Sequence, residues 1–149
     1  MGIRQSLSNL ERVSEVATLA GIKGKLVEER MEFIMQFGLD HGRHQMVYVR
    51  DVSKEGTDKA IVTVFSPCRI LKKGLFNGLS KDQAIELLSL NSKMFFARFS
   101  ILEAKTEILV IASIDHLLDT LDPDELKASS LCVAVAADDY ERKYGKDEF

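Results

Sequence analysis

Tryptophan is absent from this 149-residue chain, and cysteine and proline occur only twice each. With nine glycines, that composition excludes a collagen-like or low-complexity chain. Charge of one sign is also scarce. Twenty basic residues stand against 23 acidic ones, for a formal net charge of -3. A surface so balanced carries no electrostatic footprint for nucleic acid. No apolar run approaches the roughly 18 residues that a membrane-spanning helix needs. The opening MGIRQSLSNLERVSE lacks the apolar centre of a signal peptide. The two cysteines lie far apart in apolar contexts, which suits a reducing, cytoplasmic compartment.

What the chain has in quantity is hydrophobic side chains, 46% of the total. That content at low net charge argues against disorder. The length fits a single domain, residues 1–149, with 1–24 set apart as an N-terminal helical extension. A chain of this size buries about two-thirds of its unfolded surface, enough for one core.

Residues 4 to 37 read as helical. Leu7, Leu10, Val13, Val16 and Ala17 recur at three- and four-residue spacing, as do Leu26, Arg30, Phe33, Ile34 and Phe37. Gly21 and Gly24 divide this segment into two helices, and Gly38 caps the second. The period then changes. QMVYVRDV (45–52) and KAIVTVFS (59–66) are rich in β-branched and aromatic residues and predict a hairpin across the polar turn SKEGTD. Pro67 breaks the ladder, and CRILK (68–72) adds a short third run after it. Gly74 and Gly78 bracket a loop, and Ser80 with Gln83 has capping-box spacing for a helix to about Leu90. MFFARFSI (94–101) and EILVIAS (107–113) follow as a second hairpin. Asp122 caps the last helix, Pro123 takes its first position, and Asp124 and Glu125 suit the positive end of its dipole. Leu126, Ser130, Val133, Ala137, Tyr140 and Tyr144 form its stripe, Gly145 ends it, and KDEF follows as a frayed tail.

The expected order is therefore α-α-β-β-(β)-α-β-β-α, an α+β fold with an antiparallel sheet packed by helices. Alternation in the strands is informative. One face of 94–101 carries Phe95, Ala97, Phe99 and Ile101; the other carries Met94, Phe96, Arg98 and Ser100. In 107–113, Leu109 and Ile111 share the second face. A sheet with one wet face shows polar residues at every second position, and here that face is only partly polar. Either the N-terminal helices cover it, or another protein does.

Chemistry-bearing groupings are few. His41 and His44 sit three apart in HGRH with no further ligand at matched spacing except Asp40, and a solvated loop explains them. His116 follows Asp115, but adjacent residues rarely face each other productively. Cys68 and Cys132 cannot form a CxxC site and read as packing residues. GxGxxG, GxxxxGK[ST] and GxSxG are all missing. Asp138, Asp139 and Glu141 oppose the dipole of the last helix, and Asp138 is spaced to pair with Arg142 on a solvated face. No metal or cofactor is implied.

The stretch IELLSLNSKMFFARFSILEAKTEILVIASI, followed by LDPDELKASSLCVAVAADDYE, resembles the type III secretion chaperone-like superfamily, in particular its YbjN-type branch. There a helix ends near an asparagine, a strand hairpin follows, and the closing helix carries a late AD-x-x-E-like segment. The matching stretches here are 87–91, 94–113 and 122–141. The resemblance implies a curved antiparallel sheet packed by helices, frequent dimerisation, and the holding of a partner's extended segment against apolar patches.

The expectation is a non-enzymatic protein-binding module, chaperone-like or regulatory, acting as a homodimer and binding a protein partner but neither nucleic acid nor membrane. Its expected contact residues are Met94, Phe96, Arg98, Leu109 and Ile111. The alternative is a small ligand-binding domain or enzyme using His41, His44 or His116.

Overall fold

A computed structural model describes residues 2–54, 56–74, 78–144 and 149. Gly145 and the Lys146–Glu148 part of the expected tail lie outside them, as do Glu55 in the first hairpin turn and residues 75–77 in the glycine-bracketed loop.

The chain opens with helix α1 (Ile3–Leu19), which buries Leu10, Val13 and Ala17. Gly21, at φ +70, ends it. The Gly21 N–H donates to the Thr18 carbonyl and the Ile22 N–H to the Ala17 carbonyl, the paired bonds of a Schellman motif. The second expected helix does not form. Residues 24–38 are instead strand β1 (Gly24–Val27), a single 3-10 turn at Glu28–Arg30, and strand β2 (Glu32–Gly38). Met31, at φ 52, turns the chain between them. Gly24 is required there, because a Cβ would fall 2.3 Å from the Phe33 ring. Gly38 thus ends a strand rather than capping a helix.

Strands β3 (His44–Asp51) and β4 (Ile61–Lys72) make the expected first hairpin. β4 runs through Pro67 instead of stopping there. The register shifts between Pro67 and Arg69, so Cys68 is the extra residue of a bulge beside the proline, the kind of place where a strand tolerates proline. The buried Gln45 side chain donates to the Pro67 carbonyl at 2.8 Å. Helix α2 (Lys81–Asn91) starts with the full Ser80–Gln83 capping box. Strand β5 (Arg98–Glu103) begins four residues later than expected, after a turn at 94–97, and pairs with β6 (Glu107–Leu117). Helix α3 (Pro123–Lys143) closes the order, with the Asp122 side chain accepting from the Glu125 N–H.

All six strands join one antiparallel sheet, in the order β1-β2-β3-β4-β6-β5. The described residues form an α+β fold with three α-helices, and two strands stand where the second helix was expected. All three helices pack on one side of the sheet. Their Leu10, Val13, Leu87, Leu126 and Val133 share a single core cluster with Phe33, Met35, Val47, Val49, Val62, Val64, Val110 and Ala112 of the strands. α1 therefore belongs to the common core. Its Asn9 amide also donates to Asp51 at 3.0 Å, tying helix to β3. Among the described residues, no helix is long and apolar enough to cross a membrane.

Candidate interaction surface

Strand alternation sends every second side chain away from the helices. Register places these outward residues in rows. One row runs Ile34, Tyr48, Phe65, Ser113 and Arg98 across five strands. A second joins Pro67, Ile111 and Ser100, and a third joins Ile70, Leu109 and Leu102. None of these side chains belongs to the cluster that holds the helices' apolar residues. Among the described residues, no helix covers this face. The N-terminal segment, one of the two covers open from sequence, supplies α1 to the opposite side and two strands to the sheet itself.

Phe65 and Ile111 are nevertheless only 4% and 2% exposed. Tyr48 stacks on Phe65 with ring centroids 5.4 Å apart. The Arg50 guanidinium lies over the same ring at 5.1 Å, and that of Arg30 over Tyr48 at 5.8 Å. Both arginines are held by Glu32, whose carboxylate is 1% exposed: Arg30 Nε lies 2.9 Å from it, and Arg50 Nε donates at 2.7 Å. Long side chains thus fold over the aromatic centre. Away from that centre, apolar groups remain open: Ile70, Leu102 and Leu117 are 45%, 39% and 47% exposed.

The five residues singled out from sequence divide between the two sides. Arg98, Leu109 and Ile111 lie on the open face. Arg98 donates to the Met94 and Ala97 carbonyls and so braces the turn before β5. Met94 and Phe96 do not lie in a strand. Met94 packs against the helix-side core, and Phe96, at φ 64, projects from the turn on the helix side. Phe95, expected to share a strand face with Ala97 and Phe99, is largely exposed for the same reason. Sequence reading missed Tyr48, Phe65, Ile70 and Leu102; for Phe65 the signal lay in the alternation of 60–66, where both faces are largely apolar.

The histidines do not converge. His41 and His44 are exposed, while Arg43 between them reaches inward to Asp138 at 2.5 Å. Asp138 is therefore buried and paired across the fold, not with Arg142 on the surface. Arg43 Nη2 also approaches Glu141 at 3.7 Å. His116 is buried, with Nδ1 3.5 Å from Glu125, beside a pocket of about 310 Å³ that also touches Asp115 and Ser129. Glu125 is about half exposed, and the Ser129 hydroxyl is spent on the Leu126 carbonyl. No three His, Cys, Asp or Glu side chains among the described residues form a group that could hold a metal ion. Burial pushes the Cys68 thiol far up, and the Glu141 charge adds to this, so Cys68 is a packing residue whose Sγ donates to the Val110 carbonyl. Burial, with the neighbouring Tyr144, likewise pushes Tyr140 up to about 12.

Compared with known proteins, the chain matches no family model and no curated protein.

Proposed function

We propose that this chain is a non-enzymatic protein-binding module of the cytoplasm, chaperone-like or regulatory in use, acting as a dimer. The observation that supports this reading best is the helix-free sheet face, which leaves Ile70, Leu102 and Leu117 exposed. Apolar side chains left open on a folded chain suit an interaction site. A sheet face without a helix on it suits an extended, apolar segment of a partner. The resemblance to secretion chaperone-like proteins points the same way.

The test is client protection. The protein is expected to suppress light scattering from a thermally unfolding client, and Ile70→Lys with Leu102→Lys is expected to remove that effect while leaving the thermal transition in place. No protection by the wild type, or equal protection by the variant, sinks this reading.

A further inference from the structure

Helix α3 carries a second apolar stripe besides the one that packs on the sheet. Leu131 and Val135, four residues apart, are 46% and 43% exposed. They form a ridge between two grooves. One, of about 660 Å³, has Leu90, Met94 and Phe95 on its other wall. The other, of about 370 Å³, is bounded by Leu39, Asp40 and Arg142. A ridge flanked by grooves is the shape that one helix offers to another. Four charged residues continue this side of the helix: Asp124 and Lys127 near its start, Asp139 and Arg142 near its end. All four are exposed, and none has a side-chain hydrogen bond or ion pair among the described residues.

We propose that this face docks a second copy of the chain, α3 against α3, antiparallel about a two-fold axis. Placing Leu131 opposite the second copy's Val135 fixes the register. That register sets Lys127 opposite the second copy's Asp139, and Asp124 opposite its Arg142. Two-fold symmetry repeats each contact, so the paired Leu–Val centre is flanked on both sides by opposite charges. A parallel arrangement would set Lys127 against Lys127 and Asp139 against Asp139, so charge selects the antiparallel one. Within one chain, positions 127 and 139 lie about 18 Å apart along the helix and cannot pair with each other. Their complementarity operates only between copies.

This interface rests on the dimeric part of the proposed function and gives it a location. The open sheet face lies on the other side of the molecule and stays free in both copies. One helix pair is a small contact, so association is weak and concentration-dependent.

The experiment is sedimentation velocity on the full chain over a wide concentration range. The wild type is expected to move from the mass of one chain towards two. Leu131→Glu is expected to hold it at one. Lys127→Asp and Asp139→Lys are each expected to weaken association on the order of tenfold, through like charges across the axis. The double variant K127D/D139K is expected to recover it. Both exchanges suit the helix dipole, so α3 should stay folded, with circular dichroism as the check. A double variant as weak as the single ones overturns the register. A wild-type dimer untouched by Leu131→Glu overturns the α3 interface but leaves the dimer standing. A single-chain mass at every concentration overturns both, while client protection still tests the sheet face separately.

Discussion

The two faces of the sheet bury apolar side chains by different means. On the helix side, Val47, Val49, Val62, Val64, Val110 and Ala112 are fully buried because α1 and α3 lie directly over them. These side chains are small, all but Ala112 β-branched, and their burial is fixed by backbone elements. On the open side, Phe65 is almost as buried, but under Tyr48 and Arg50. That cover consists of side chains, with Arg50 held by the Glu32 carboxylate, and side chains can move aside at far less cost than a helix can. Low exposure therefore means core on one face, and a surface shielded by its own side chains on the other.

The largest test of this contrast is Phe33→Ala on the helix side. Phe33 is 1% exposed, and its removal should cost about 3–5 kcal/mol in urea unfolding, through lost burial and a residual cavity. A loss as small as that of an open-face substitution would erase the distinction between the faces. Next comes Glu32→Ala. It frees two arginines that are themselves about half exposed, so the cost should be about 1–3 kcal/mol, and the Tyr48–Phe65 stack should loosen. Increased tyrosine quenching by iodide would report the loosening. A protected ring would show that Glu32 does not hold the cover.

A smaller effect is confined to acid. Burial raises the Asp51 carboxyl, but hydrogen bonds from the Ser53 side chain and backbone, and from Asn9 and Ser6, outweigh it and hold the group below its ordinary 3.8. Because the folded value is depressed, its contribution is complete above 3.8 and is lost as pH falls through the folded value. Asp51→Asn should flatten that part of the stability profile, and an unchanged acid limb would show that the α1–β3 tie carries no such linkage. The smallest stability effect belongs to Ile70→Lys and Leu102→Lys, within about 0.5 kcal/mol each, because these groups are already partly in water. A loss of several kcal/mol would place them in the core and rule out the proposed contact surface.

Much of the fold was legible in local chemistry. Gly21 stops α1, Ser80 and Gln83 cap α2, and Asp122 with Pro123 starts α3, each through bonds made within a few residues. The segment 24–38 was not legible. Leu26, Arg30, Phe33, Ile34 and Phe37 have helical spacing, yet Phe33, Met35 and Phe37 also alternate. Pairing with β3 decided between the two, since it buries Phe33 and Met35 beneath α1. The same holds for Asp138 and Glu141. They look unfavourable near a helix C-terminus until Arg43, 95 residues from Asp138, is seen to meet them. Of the expected contact residues, Arg98, Leu109 and Ile111 share a face because they lie in strands. Met94 and Phe96 do not, because the turn at 94–97 breaks the alternation that would have joined them.

By itself the sequence determined the α+β class, both hairpins, the helix starts and an excess of apolar residues on strands. Those features depend on periodicity and on contacts close in sequence. Only the tertiary structure decided that all three helices lie on one side of the sheet, and that the other face is left to Tyr48, Phe65 and the Ile70–Leu109–Leu102 row. Which face a helix covers depends on burial between elements distant in the chain, and no local pattern encodes it.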